Sequence, residues 1–327
     1  MDKHFENVIA RATKAESIRP VEVIQELWSG YGQIIRYETS NPDYETVIAK
    51  HISFPGKANH PRGWNNDRSH KRKLKSYKVE TEWYTNWADR CSDQCRIPAC
   101  LATEGNKREM LIVLKDLDGA GFSQRKHRVN QNDVESGLRW LANFHGSFLN
   151  EKPEGLWKNG TYWHLDTRPD ELAVLSDKDL KAAAGKIDQQ LKGCHFKTFV
   201  HGDAKLANFC FSPDGVSIAA VDFQYVGGGC GMKDIAYFAG SCYHEEECAS
   251  YEEELLSFYF AALRQALEKR DTVVDFDALE LEWRQMYPYA WADFHRFLQG
   301  WSPGSWRNSS YSERMTAKVI DSLGIQL

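Results

Sequence analysis

The amino-acid sequence predicts an α+β fold made of two lobes, a small β-rich N-terminal lobe and a larger, mainly helical C-terminal lobe. Between residues 21 and 114, short apolar runs alternate with turn signals, a pattern typical of β-strands. From residue 134 onward, long stretches repeat apolar side chains every three or four positions, which indicates amphipathic helices. A chain of 327 residues is long enough to bury two such cores. We place the N-terminal lobe at residues 1–116 and the C-terminal lobe at residues 117–327.

The N-terminal lobe is predicted to begin with a helix over residues 5–16, which carries its apolar side chains on one side. A second helix is predicted from Lys75 onward, because Trp83 and Trp87 recur at helical spacing. The remaining apolar runs predict strands at residues 21–27, 34–38, 47–52 and 110–114.

The C-terminal lobe shows a helical pattern that two short strands interrupt. Apolar runs at residues 198–200 and 218–221 are short enough for buried strands, and a polar motif follows each of them. The long helices are predicted at residues 134–149, 252–269 and 279–298.

Composition and charge argue against several classes of function. Hydrophobic residues make up 42% of the chain and charged residues 27%, as in ordinary globular proteins. A net charge of −5 gives no support for nucleic acid or a membrane surface as a partner. The first residues are charged where a signal peptide needs an apolar run, and no run approaches the roughly 20 apolar residues of a membrane span. We therefore expect a cytoplasmic protein whose eight cysteines are reduced thiols.

The two polar motifs carry the chemistry. Residues 201–208 read His-Gly-Asp-Ala-Lys-Leu-Ala-Asn, and residues 222–224 read Asp-Phe-Gln. Asp203 can accept the proton of an attacking hydroxyl, while Asn208 and Asp222 supply the oxygen ligands that Mg²⁺ prefers. A phosphotransferase that uses ATP and Mg²⁺ requires groups of this kind. The alternative is two ordinary turns that Asp and Asn side chains cap.

The first motif resembles the catalytic loop of protein kinases. In that family a lysine two residues after the catalytic aspartate faces the transferred phosphoryl group, which implies that Lys205 stabilises the charge developing there. Lys50, in Val-Ile-Ala-Lys, resembles the kinase lysine that bridges the α- and β-phosphates and pairs with a glutamate on a helix. Glu80 and Glu82 are the candidates for that glutamate. We predict Glu80, because it is adjacent to the buried face of the helix and Glu82 points to another side.

The same resemblance implies further contacts with the nucleotide. Gly30 and Gly32 lie between two predicted strands, where kinases have a loop that covers the phosphates; a plain hairpin turn is the alternative. Lys115 and Leu117 follow the last predicted strand, in a stretch that resembles the hinge segment, whose backbone binds adenine. Asp234 is expected to hydrogen-bond the catalytic loop, with a simple helix cap as the alternative.

Among kinases the resemblance narrows to enzymes that phosphorylate small molecules. Only eleven residues separate Asp222 from Asp234, and no Ala-Pro-Glu motif follows, whereas protein kinases need a longer segment to hold a peptide. His-Gly-Asp with Asp-Phe-Gln instead resembles the aminoglycoside phosphotransferase and choline kinase group, and within it the ecdysteroid-kinase-like family. The resemblance implies the protein-kinase-like fold, ATP and Mg²⁺ as cofactors, and a small-molecule hydroxyl as acceptor. The alternative is a nucleotide-binding protein of this fold with little or no catalytic activity.

Two stretches leave alternatives open. Aromatic residues recur every four positions at Trp283, Tyr287 and Trp291, where they either pack the core of the helical lobe or form an aromatic cage for the acceptor. The basic run over residues 68–78 is interpreted as a solvated, mobile loop, with an anion-binding flap as the alternative.

Overall fold

The computed structural model describes residues 3–27, 30–54, 67–106, 108–270, 272–305 and 310–325. The chain divides into two compact units, neither of which is continuous in sequence, whereas the predicted lobes are. The first unit comprises Met1–Ser92, Arg96–Arg125 and Cys210–Gln224. The second comprises Asp93–Cys95, Lys126–Phe209 and Tyr225–Leu327. The first unit holds the main β-sheet and the second is mainly helical, which confirms the predicted α+β fold.

The main sheet of the first unit has five strands: β1 (Ile18–Glu26), β2 (Gly32–Thr39), β3 (Thr46–Ser53), β4 (Cys100–Gly105) and β5 (Glu109–Lys115). They pair antiparallel in the order β1-β2-β3-β5-β4. β3 lies in the middle of the sheet, where Lys50 sits opposite Ile112 of β5. The sequence predicted four of these strands and missed β4, which is half-buried along most of its length and has no alternating pattern.

Helix α1 (Lys3–Thr13) covers one face of this sheet. It ends three residues earlier than predicted, because Lys14 adopts a left-handed backbone conformation with a φ of 52°. Its buried side chains join one hydrophobic cluster with residues of the sheet: Phe5, Val8, Ile9, Tyr37, Val47 and Leu111.

Helix α2 (Asp67–Asn86) begins eight residues before the predicted start at Lys75. The prediction of a loop at residues 68–78 is therefore wrong, because this basic run is helical. Four of its cations lie on the solvated side of the helix, so no apolar repeat marks where the helix begins. The exposed cations follow each other at intervals of three or four residues: Arg68, Lys71, Lys75 and Lys78.

Four short strands lie further along the chain: β6 (Thr198–Val200), β7 (Phe209–Phe211), β8 (Ile218–Ala220) and β9 (Gly227–Gly229). β6 pairs with β9, and β7 pairs with β8. In the first unit, Ala219 of β8 packs in a small hydrophobic cluster with Leu117 and Phe122. This packing anchors the strand that leads into the Asp-Phe-Gln motif.

The second unit is built mainly from α3 (Gln131–Ser147), α4 (Pro169–Ala173), α5 (Lys178–Gly193), α6 (Met232–Cys242), α7 (Glu245–Glu268), α8 (Phe276–Trp301) and α9 (Ser310–Ser322). The three long helices that the sequence predicted correspond to α3, α7 and α8. Trp283, Tyr287 and Trp291 of α8 are all buried, so the aromatic stripe packs the core of this unit. Within the described ranges, none of the helices combines the length and the apolar character that crossing a bilayer requires.

Candidate active site

The His-Gly-Asp loop is fixed by a buried carboxylate at the start of α6. The backbone N–H groups of His201 and Gly202 donate to Asp234, over 2.5 Å to Oδ2 and 3.0 Å to Oδ1. His145 Nε2 lies 3.2 Å from Oδ2 of the same carboxylate. A buried carboxylate that accepts several N–H groups holds a loop firmly, because each of these bonds is charge-assisted. The predicted hydrogen bonding of Asp234 to the catalytic loop is thus what the structure shows, and the N-cap of α6 is Gly231.

Gly202 allows this loop to pack closely against its surroundings. Its φ is +80°, and a Cβ atom at this position would lie 2.2 Å from the carbonyl oxygen of Tyr225 and 2.8 Å from the nitrogen of Thr161. Both the backbone conformation and the space exclude any residue with a side chain. The glycine in His-Gly-Asp therefore has a local cause that is independent of catalysis.

Asp203, Lys205 and Asn208 lie together at the end of the loop. Lys205 Nζ lies 2.9 Å from Asp203 Oδ2, and Asn208 Nδ2 donates to the same oxygen over 3.0 Å. Asn208 Nδ2 also donates to the backbone oxygen of Asp203 over 2.7 Å, which closes the turn. His201 braces this turn, since its Nδ1 accepts from the backbone N–H of Asp203.

The orientation of the Asn208 side chain bears on metal binding. Its amide nitrogen donates both of its hydrogen bonds to Asp203, so the amide oxygen is the atom left for a cation. A neutral oxygen next to a carboxylate is the hard donor set that Mg²⁺ prefers. The second unit therefore presents an aspartate, a lysine and an amide oxygen on one fixed turn.

Lys50, Glu80 and Asp222 come together in the first unit. Lys50 Nζ donates to both carboxylate oxygens of Glu80, over 2.8 Å and 2.7 Å, and lies 3.6 Å from Asp222 Oδ1. Lys50 and Glu80 are buried, whereas the Asp222 side chain is one-third exposed. Burial acts to lower the pKa of Lys50, but the Glu80 and Asp222 carboxylates outweigh it and raise this pKa, so the lysine is charged. Glu82, the other candidate partner, receives a hydrogen bond from Asn86 instead.

The backbone at Asp222 is unusual for a residue with a side chain. Its φ is 71°, in the left-handed region, which non-glycine residues occupy only where neighbouring contacts hold them. Phe223 supplies one such contact, because its buried ring stacks on Trp83 of α2 with centroids 4.7 Å apart. Strained residues of this kind are frequent at functional sites.

Gly30 lies between β1 and β2, and Gly32 is the first residue of β2. The Leu27 N–H donates to the Gly32 oxygen, and the Gly30 N–H donates to the Leu27 oxygen. Gly32 has a φ of +123°, and a Cβ atom there would lie 2.1 Å from the His51 oxygen on β3. Gly30 has open space around it but a φ of +74°, which favours glycine. The approach of both glycines to phosphate stays a prediction.

Lys115 and Leu117 lie at the end of β5, where Lys115 is exposed and Leu117 is buried. Between them, buried Asp116 accepts a hydrogen bond from Arg36 Nε over 2.7 Å, and Arg36 Nη2 donates to Asp118 over 2.5 Å. Arg36 was not found from the sequence, because 80 residues separate it from Asp116 and no local pattern marks the pair. This arginine joins the Asp116 and Asp118 side chains beside the predicted hinge residues.

Comparison with known proteins bears on the fold of the whole chain. The choline kinase of Cryptosporidium parvum Iowa II matches with a TM-score of 0.57 at 12% identity, over 98% of this chain and 95% of that chain. This chain has the protein-kinase-like fold. An aminoglycoside phosphotransferase from Streptomyces rimosus, solved with ADP and streptomycin, is also similar, with a TM-score of 0.49 at 13% identity over 88% of this chain and 99% of that chain.

A family comparison concerns part of the chain. Residues 178–272 match the model of the ecdysteroid kinase-like family. This stretch contains the His-Gly-Asp loop, the Asp-Phe-Gln motif and Asp234, which carried the resemblance in the sequence. A sequence comparison with curated proteins found no match. The protein-kinase-like fold that the motifs implied is thus confirmed.

Proposed function

We propose that this protein is an ATP- and Mg²⁺-dependent phosphotransferase that phosphorylates a hydroxyl group of a small molecule. One observation carries the proposal: the turn in which Lys205 and Asn208 both contact the Asp203 carboxylate. A simple capping turn needs none of these three side chains to converge, whereas phosphoryl transfer needs a base, a cation and a metal ligand close together.

Asn208 and Asp222 are the residues that would hold Mg²⁺. The Asn208 amide nitrogen is engaged by Asp203, which leaves its oxygen for the metal. Asp222 is partly exposed and offers a carboxylate on a strained backbone. When bound, Mg²⁺ supplies positive charge that neutralises the phosphate oxygens during transfer.

The other predicted residues fall into nucleotide and acceptor roles. Lys50 is charged and held in place by Glu80, so it can bind the α- and β-phosphates without moving. Gly30 and Gly32 let the backbone come close to the phosphates, and Lys115 and Leu117 contact adenine through their backbone. Lys205, one-third exposed, faces the transferred phosphoryl group.

Asp203 would serve as the base. The acceptor oxygen attacks the γ-phosphorus of ATP, and its proton passes to the Asp203 carboxylate. The bond between the γ-phosphorus and the oxygen that bridges it to the β-phosphorus breaks, and ADP leaves with that oxygen. Because Lys205 and Asn208 hold the carboxylate, the proton acceptor is oriented before the substrate binds.

The glycine-rich segment between Asp222 and Asp234 supports a small acceptor. It contains the short strand β9, which pairs with β6, and has no room for the longer segment that holds a peptide in protein kinases. We also place the activity in the cytoplasm, because a reducing compartment supplies ATP and keeps the eight cysteines as thiols.

The test is ADP formation with Mg²⁺ and ATP against amino alcohols, aminoglycosides, sugars, nucleosides and sterol-like alcohols. Asp203→Asn keeps the size of the side chain but removes the base, and Asp214→Asn, at an exposed turn, is the matched control. We expect an acceptor whose phosphorylation is lost in Asp203→Asn and kept in Asp214→Asn. Binding of ATP and Mg²⁺ without turnover on any acceptor would favour a nucleotide-binding protein instead. Full activity of Asp203→Asn would refute the assigned mechanism.

A further inference from the structure

Gln224, the last residue of the Asp-Phe-Gln motif, is joined to α2 by hydrogen bonds that the proposed chemistry does not use. Its Oε1 accepts from Lys73 Nζ over 3.0 Å and lies 3.2 Å from the Ser76 hydroxyl. Gln224 and Ser76 are both buried, and Lys73 is half-buried. Buried amides need partners, so these contacts fix where the side chain lies.

Of the two donors, Lys73 is the stronger. The Ser76 hydroxyl has a single hydrogen, and it also lies 2.8 Å from the backbone oxygen of Lys73, as serines in helices commonly do. The Lys73 ammonium has three hydrogens and lies over the Tyr77 ring, 4.8 Å from its centroid. A charged donor to an amide oxygen in a protected place forms a strong hydrogen bond.

The partners of Gln224 share a helix face with the partners of Lys50 and Phe223. Lys73, Ser76, Glu80 and Trp83 follow each other at intervals of three, four and three residues, which places them on one face of α2. Trp83 stacks on Phe223, and Glu80 pairs with Lys50. One face of the helix therefore contacts both Lys50 and the Asp-Phe-Gln motif, which contains Asp222.

We propose that Gln224 is a positioning residue that clamps the Asp-Phe-Gln segment to α2 and thereby holds Asp222 in its left-handed conformation beside Lys50. Asp222 has a φ of 71°, and its neighbours must maintain that conformation because an aspartate does not prefer it. Phe223, the residue after Asp222, holds the motif against α2 by stacking on Trp83. Gln224, the next residue, holds it by a hydrogen bond to Lys73. The consequence for metal binding rests on the proposed role of Asp222; the clamp itself does not.

The clamp is tested without nucleotide by hydrogen–deuterium exchange of the backbone amides at residues 219–226. Gln224→Met keeps the length of the side chain but removes the acceptor, Gln224→Glu restores an acceptor for Lys73, and Gln124→Met, at an exposed position of the same unit, is the control. We expect exchange about tenfold faster in Gln224→Met, near the upper range for one hydrogen bond. In Gln224→Glu the exchange rate should lie within about threefold of the rate in the original protein, and in Gln124→Met the exchange rate should be unchanged. Unchanged exchange in a folded Gln224→Met variant would overturn the clamp.

Lys73→Met provides a second route if Gln224→Met does not fold. It removes the donor from a half-buried position and should speed exchange of the same amides. The double variant should exchange no faster than Gln224→Met alone, since Gln224→Met already removes the oxygen to which Lys73 donates. Additive effects would show that Lys73 and Gln224 act separately, against the proposal.

A measurement of Mg²⁺ binding distinguishes a failure of the proposed clamp from a failure of the proposed function. With ADP present, Mg²⁺ is added stepwise and the melting temperature is followed. The Mg²⁺ concentration at half of the total rise should be about three- to tenfold higher in Gln224→Met than in the original protein, as expected from losing one hydrogen bond. A purely structural role would lower the melting temperature and leave this concentration unchanged, which would refute a positioning role. If the original protein shows no rise with ADP and Mg²⁺, the proposed function fails, and the exchange experiment still decides the clamp.

Discussion

Removing the Lys50 ammonium is the most direct test of the buried ion pair in the first unit. Lys50 is 4% exposed and Glu80 is 2% exposed, and both oxygens of Glu80 accept from Lys50. Lys50→Met keeps most of the side-chain volume but leaves the Glu80 carboxylate buried without that ammonium. Breaking a buried pair by removing one partner costs about 3–5 kcal/mol. Because Lys73 also acts on the pKa of Glu80, we expect the free energy of unfolding to fall by about 3 kcal/mol, the lower end of that range.

The destabilisation should depend on pH with a defined sign. In Lys50→Met, burial raises the pKa of Glu80 above its value in the unfolded chain, and the lysine that opposed this is gone. An acid whose folded-state pKa is raised contributes stability at low pH, and this contribution is lost as pH rises through the folded-state pKa. The loss amounts to at most about 1.4 kcal/mol per pH unit. The variant should therefore be closer in stability to the original protein at pH 5 than at pH 8.

The assay is urea unfolding at pH 5 and pH 8, followed by tryptophan fluorescence, for Lys50→Met, Glu80→Gln and the double variant. The double variant leaves no buried charge from this pair, so it should be at least about 1 kcal/mol more stable than the two single effects predict. Glu82→Gln, on the same helix, is the matched control and should stay within about 0.5 kcal/mol of the original protein. Additive single effects, or a Lys50→Met destabilisation that is equal at both pH values, would refute the reasoning.

Three further perturbations follow from the structure. Gly32→Ala would place a Cβ atom 2.1 Å from the His51 oxygen, and this clash should lower the free energy of unfolding by more than about 3 kcal/mol. Gly30→Ala has open space around it and should lower the free energy of unfolding by about 1 kcal/mol, because its φ is positive. Urea unfolding of both variants compares the two, and equal costs would contradict the contact. Asp234→Asn should lower phosphorylation at least about 100-fold. The His201 and Gly202 N–H groups point at different oxygens of the carboxylate, and asparagine keeps only one acceptor oxygen. The kcat of the purified variant measures this, and an unchanged kcat would show that the loop does not need both hydrogen bonds. Burial lowers the pKa of His295 to about 4, so the neutral form stabilises the fold above the unfolded-state pKa of about 6.5, and about 3 kcal/mol is lost as pH falls from 6.5 to 4. His295→Gln should remove that part of the acid sensitivity, and an unchanged profile of melting temperature against pH would contradict it.

The sequence was sufficient to predict most of the strands and helices that hold the two motifs, and the pairing of Lys50 with Glu80. Short apolar runs located β3 and β5, which lie in the interior of the sheet, and helical periodicity located α3, α7 and α8. The choice of Glu80 over Glu82 followed from one local fact, the position of the buried face of α2, and the structure shows Glu80 in contact with Lys50. Local spacing is enough to predict a residue's role when the residues that determine this role lie within a few helical turns of it.

What the sequence did not reveal depends on contacts between residues far apart in the chain. Arg36 and Asp116 are 80 residues apart, and Lys73 and Gln224 are 151 apart, so no periodicity relates either pair. The start of α2 was missed for a different reason. Its exposed cations hide the helical repeat, and its functional face begins with polar residues, Lys73 and Ser76, instead of apolar ones.

The polar residues on the inner face of α2 also weaken its apolar periodicity, and this is the face that matters for the proposed function. A helix that only packed a core would present apolar side chains at Lys73, Ser76 and Glu80, and would then be easy to predict. Each polar group on this face has a partner on β3 or in the Asp-Phe-Gln motif, so each has a reason to be polar. Because burying such groups is unfavourable unless they are paired, the helix can dock only where all of these partners are in place. Correct docking of α2 and correct placement of Lys50 and Asp222 are thus one event, and a substitution at any of these polar positions should disturb the lysine and the aspartate together.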